Sequence, residues 1–181
     1  MYKMPLLLFL FLGILCSPLS AQSRSGIDKS TDALMFVPAA TGLVLTLCNK
    51  DKPGFRQLAL SGATALAANY LLELSIKKRR PDGSGSHAFP STHAAVSFAG
   101  ATFVQQRYGW KWGLPAYLVS TYVAWGRIYA KKHDIWDVLA GAAIGAGSSF
   151  LFTRPIAKDN ALTLAPLATQ DGAGLYLGLR F

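Results

Sequence analysis

Two histidines carry most of the chemistry this sequence can offer. His133 lies in "GRIYAKKHDIWD", six residues after Arg127 and four before Asp137. On a helix, a spacing of four puts His133 and Asp137 on one face and within reach of each other. A carboxylate that takes the proton of one imidazole nitrogen fixes the tautomer and leaves the other nitrogen free as a nucleophile. Arg127 can fork two hydrogen bonds onto phosphate oxygens. Read alone, the segment also fits a helix-start histidine salt-bridged to an aspartate. His93 closes "PSTH", Pro90 to His93. Proline suits a helix start, Ser91 or Thr92 can cap it, and the free amides there hold an anion. His93 would then stand beside that anion, where a general acid protonates a leaving oxygen. "KKRRP", Lys77 to Pro81, adds Lys77, Lys78, Arg79 and Arg80. Some of these also fit a solvated, membrane-flanking patch.

Together the three segments describe phosphoryl transfer with neither metal nor cofactor. Arginines and helix-start amides neutralise the phosphate oxygens. His133 attacks phosphorus to form a phosphohistidine, and His93 protonates the leaving oxygen. Water, activated by His93 returning as base, then releases phosphate. No zinc-type ligand spacing and no nucleic-acid motif is present.

The elements that must position these groups are apolar. Of 181 residues, 51% are hydrophobic and 15% charged, against about 25% charged in ordinary soluble domains. The net charge of +9 points to anionic partners, whether nucleic acid, headgroups or phosphorylated substrates. Nucleic acid fits worst, because the basic residues sit between apolar runs. Those runs are 33–49, 57–72, 88–106, 112–126 and 138–153, each about 15 to 19 residues, near the lower limit for a bilayer span. They are rich in Ala, Gly, Ser and Leu, which suits close helix packing in lipid. Buried helices of a soluble all-α protein are the competing interpretation.

The N-terminus, "MYKMPLLLFLFLGILCSPLSAQS", has Lys3, an apolar stretch from Pro5 to Cys16 and then small residues, as a secretory signal does. Cleavage after Ala21 or Ser23 leaves Cys48 as a lone, buried structural thiol. Five spans after an exported N-terminus put all three histidines and the two most basic loops on one extracytoplasmic face. Loop charge alone does not decide this. In the tail, Leu175, Leu177, Leu179 and Phe181 alternate with Tyr176, Gly178 and Arg180, the period of a strand.

At this point the chain resembles the type 2 phosphatidic acid phosphatase superfamily, which includes membrane lipid phosphatases, soluble acid phosphatases and vanadium haloperoxidases. The family's three motifs are Lys, six residues, Arg-Pro; then Pro-Ser-Gly-His; then Ser-Arg, five residues, His, three residues, Asp. Here Arg80-Pro81, Pro90-Ser91-Thr92-His93 and Arg127, His133, Asp137 match them in order. The resemblance implies an all-α transmembrane bundle of about five spans, with the site at one end. It assigns His133 as nucleophile, Asp137 as its orienter and His93 as proton donor. Arg80, Ser91 and Arg127 would bind phosphate, with Thr92 in place of the motif glycine. Glu73 stands where the motif lysine belongs, one helical turn before Lys77, which is the expected substitute. Gly126 replaces the serine before Arg127.

The expected organisation is a signal peptide (1–21), a polar lead-in (22–32), the helical phosphatase domain (33–154) and a tail (155–181) without an assigned role. The expected activity is hydrolysis of a membrane lipid phosphate by a bacterial-type inner-membrane protein whose site faces the periplasm. Candidate substrates are lipid A, a polyprenyl diphosphate or a phosphatidate-type lipid. Alternatives are a soluble periplasmic acid phosphatase, a vanadate-dependent oxidant and a catalytically decayed phospholipid-binding scaffold.

Overall fold

Most helices begin at a residue able to hold their free amides, so the sequence marks its own boundaries. The computed structural model describes residues 23–156, 162–169 and 172–179. The expected signal segment, 1–21, lies outside the described residues. Helix α1 (Arg24–Leu34) starts at Ser23, and α2 (Val37–Cys48) has Pro38 in its first turn. Helix α3 (Lys52–Ser75) is capped by Asp51, whose carboxylate accepts from the Gly54 amide. Helix α4 (Thr92–Tyr108) is capped by Ser91, and Gly109, at φ 85°, turns the chain into α5 (Trp110–Tyr129). Helix α6 (Ile135–Phe152) opens with a capping box. Asp134 accepts from the Trp136 and Asp137 amides, and Asp137 accepts in return from the Asp134 amide.

The five expected runs therefore become α2 to α6. The lead-in does not stay a mere lead-in. From Arg24 it is helical, and Ile27 and Thr31 pack against Gly126 of α5. Helix α4 is the hub, touching α2, α3, α5 and α6. It meets α6 closely because a Cβ at Gly145 would stand 2.1 Å from the Ala95 carbonyl oxygen, and one at Gly141 would stand 2.3 Å from that of Ser91. The Ser149 hydroxyl completes the seam by donating to the Ala99 carbonyl at 2.7 Å.

Large and small side chains are distributed inside out. The interior holds Ala65, Ala95, Ser61, Asn69, Ser97, Thr102 and Ser120, while Leu43, Leu47, Leu66, Leu71, Leu118, Leu139 and Leu151 face outward. Water would penalise such a girdle; lipid does not, and small residues let helix backbones approach. By length and hydropathy, 24–48 and 135–152 are long and apolar enough to cross a membrane. Helix α4 has 17 residues, and α3 and α5 carry inward polar groups such as Asn69 and Ser120 that dilute their hydropathy. Cys48, expected to be buried, is exposed at the end of α2.

At the end away from the histidines, the Asp51 carboxylate receives Nε and Nη2 of Arg107 at 2.8 and 2.6 Å, and the Tyr108 hydroxyl at 2.9 Å. Arg107 also donates to the Arg154 carbonyl, which ties the chain leaving α6 to the same corner. The period-two tail forms an antiparallel hairpin, β1 (Leu162–Thr169) with β2 (Gly172–Leu179), in register from Leu162 opposite Leu179 to Thr169 opposite Gly172. The helical domain is all-α, and the hairpin follows it. Pro166 inside β1 obscured the first strand, since proline normally demotes such a run.

Candidate active site

The start of α4, the end of α5 and the start of α6 converge with α1 and the 76–91 loop. Helix α5 ends through a short turn in which the amides of Lys132 and His133 both return to the Arg127 carbonyl, at 3.1 and 3.3 Å. Lys131 takes φ 58° there. That turn puts His133 beside Arg127, and the capping box then fixes how α6 leaves it.

The His133 ring is held differently from expectation. Its Nδ1 donates to the Ala88 carbonyl at 2.7 Å, whereas the Asp137 Oδ2 is 3.8 Å away. Asp137 is fully buried and already engaged, taking the Asp134 amide on Oδ2 and the Lys78 ammonium on Oδ1 at 2.7 Å. The orienter of the imidazole is thus a backbone carbonyl, and Asp137 orders the turn that carries it. The chemical outcome is the one anticipated: Nδ1 bears the proton, and Nε2 keeps its lone pair. Burial above all pushes the His133 pKa down, to about 4. The Ala88 hydrogen bond works against that, and the charges of Arg127 and Arg80 add to it. The ring is neutral at ordinary pH.

His93 Nε2 lies 2.8 Å from Oδ1 of Asp32. Arg127, only 3% exposed, donates through Nη1 to Asp28 Oδ1 at 2.6 Å, to that same Asp32 oxygen at 3.0 Å and to Thr31 at 3.3 Å. Its Nε, like that of Arg80, is buried without a partner among the described residues. Ser91 is buried, donates its amide to the Asp137 carbonyl at 2.9 Å and caps α4, so α4 and α6 share one origin. The first amides of α4 have no helical acceptor. The Thr92 hydroxyl accepts from Asn69 of α3 at 2.8 Å.

The structure thus brings His93, Arg127, His133, Arg80, Ser91, Thr92 and Asp137 to one end of the bundle. Lys77 is not among them. It is exposed, and the neighbouring Lys78 turns inward to bridge Asp134 and Asp137. Glu73 makes no ion pair among the described residues. Sequence reasoning missed Asp28, Asp32, Asn69 and the Ala88 carbonyl, and it named Lys78 only as a cation beside Lys77. For Asp28 and Asp32 a signal existed, since two carboxylates four apart present one acidic face.

The PAP2 superfamily profile matches residues 33–160. The chain belongs to the PAP2 superfamily. It is a phosphatase, and its helical architecture is that of the family's transmembrane members. Among curated relatives, the lipid A 4'-phosphatase of Helicobacter pylori is 29% identical over 159 residues, covering 82% of this chain and 79% of that protein. The lipid A 1-phosphatase of Porphyromonas gingivalis is 35% identical over 91 residues, covering 49% of this chain and 20% of that one. Two solved structures share the fold. The transmembrane PAP2-type phosphatidylglycerolphosphate phosphatase of Bacillus subtilis superposes with a TM-score of 0.56 at 21% identity, over 83% of this chain and 86% of that one. LpxE of Aquifex aeolicus gives 0.52 at 20% identity, over 80% and 92%. These PAP2 relatives place the chain in a membrane setting, which agrees with its outward apolar girdle.

Proposed function

We propose that this PAP2 protein hydrolyses a phosphate ester or anhydride of a membrane lipid at the extracytoplasmic face, with a lipid A-type substrate favoured by its curated relatives. The carrying observation is the neutral His133 ring, whose Nδ1–H is committed to Ala88 while Arg127 stands beside it. Nε2 of His133 attacks phosphorus, and the P–O bond to the lipid breaks. His93 gives its proton to the departing oxygen. Arg127, Arg80 and the opening amides of α4 offset the charge gathered on the three remaining oxygens. His93, now basic, takes a proton from water, and the resulting hydroxide oxygen displaces His133 to release phosphate. Thr92 and Ser91 shape the amide cradle, and no step draws on a metal.

The test uses purified protein in mixed micelles with lipid A, phosphatidate and a polyprenyl diphosphate. An alkaline or SDS quench should trap a phosphoenzyme that is stable to alkali and labile to acid, and His133→Ala should lose both this species and phosphate release. His93→Ala should lower turnover by about 100-fold or more, in the range of general acid–base contributions. Unchanged turnover in His133→Ala would end this mechanism. A reporter fused after Gly83 tests the facing of the site, and a cytoplasmic signal there would reverse it.

A further inference from the structure

We propose that Asp28 and Asp32 of α1 are an internal competitor for the phosphate site, an autoinhibitory pair of carboxylates that a phosphate must displace to bind. The inference rests on reading this end of the bundle as a phosphate site. One oxygen of Asp32 lies between Arg127 Nη1 and His93 Nε2, at 3.0 and 2.8 Å. That is the position an ester oxygen takes when one group grips the phosphate and the other protonates the leaving atom. An oxygen of Asp28 occupies the same Nη1 at 2.6 Å. Two carboxylates one helical turn apart thus stand in for two oxygens of a phosphate.

The stand-in is incomplete, and this makes it displaceable. It satisfies Nη1 of Arg127 and leaves the buried Nε, like that of Arg80, without a partner among the described residues. A tetrahedral group with more oxygens and more charge can engage more of these donors. Asp32 is also 57% exposed, unlike the buried Asp51 that permanently clamps Arg107. Helix α1 reaches the site because residue 126 is glycine. A Cβ there would stand 2.4 Å from Thr31 Cγ2. This explains the departure from the motif serine: the space it vacates is filled by α1.

The strength of the competition follows from effective concentration. A tethered carboxylate competes as though present at roughly millimolar levels or above. Any phosphate, lipid-borne or dissolved, must displace both.

The experiment compares full-length protein with Asp28→Asn/Asp32→Asn and, separately, with Gly126→Ala, which displaces α1 without touching a charge. Binding of inorganic phosphate is measured by calorimetry, and kcat/KM is measured on p-nitrophenyl phosphate and on lipid A in mixed micelles. The double variant should bind phosphate about tenfold tighter, equivalent to about 1.4 kcal/mol. Its kcat/KM should rise by about the same factor on both esters. Gly126→Ala should shift both readouts in the same direction. Unchanged or weaker phosphate binding in both variants, or a rise in kcat/KM on one ester alone, overturns the proposal. Should neither ester be turned over by the parent protein, the proposed function fails, and phosphate binding still decides the role of Asp28 and Asp32.

Discussion

A histidine can attack phosphorus only while neutral, and burial keeps His133 so. With its pKa pushed down to about 4, the acid limb of kcat/KM assigned to this residue should lie near pH 4, not near the ordinary imidazole value of about 6.5. A pH–rate profile measures this directly. The same depression affects stability. The unfolded chain binds the proton between about pH 6.5 and 4 while the folded one does not, so stability falls as pH drops through that window. Asp137→Asn separates the two candidate orienters. Because Ala88 holds the ring, this variant should keep measurable turnover, within about 100-fold of the parent, while His133→Ala keeps none. Most of the site was legible at this scale, since His133, Arg127 and His93 are side-chain types at informative spacings. The Ala88 carbonyl was not, because a backbone acceptor leaves no mark on residue identity. Asp137 was assigned to the ring by its spacing alone, and its engagement by Lys78 and the Asp134 amide depends on where a distant loop runs.

At the scale of elements, the site is as precise as the seam between α4 and α6, whose first turns carry His93 and follow His133. Gly145→Val should force the helices apart, cost on the order of 1–3 kcal/mol or more and reduce kcat with it. Thermal unfolding and turnover on one preparation check both effects. Helices α2 to α6 could be read from uncharged runs and caps, and their order was plain. Helix α1 could not be placed that way. Its polar sequence offers no uncharged run to read, and its place against Gly126 depends on a missing side chain in another helix. The choice between Lys77 and Lys78 was closed to sequence for a related reason. Beyond Ser75 the backbone leaves helical geometry, so the one-turn argument for Lys77 no longer applies.

For the whole molecule, the corner opposite the histidines is the anchor. Arg107 and Asp51 are both buried and paired, and removing one partner of such a pair usually costs about 3–5 kcal/mol. Arg107→Ala should therefore unfold at markedly lower temperature in detergent. The Arg107 hydrogen bond, against the opposing effect of burial and with help from the Gly54 amide and Tyr108, holds the Asp51 carboxyl at about 2. Its contribution is complete above about pH 4 and disappears as pH falls toward 2. An acid unfolding curve of Tyr108→Phe should shift to higher pH, since one of the groups holding the carboxylate ionised is gone. Exposed aromatic residues ring both ends, Phe55 and Trp110 near the anchor and Trp125, Tyr129 and Trp136 near the histidines. Such rings settle at headgroup level. The groups around His93 and His133 therefore stand at one altitude relative to these rings, so phosphates should be sorted first by how far they protrude from the hydrocarbon.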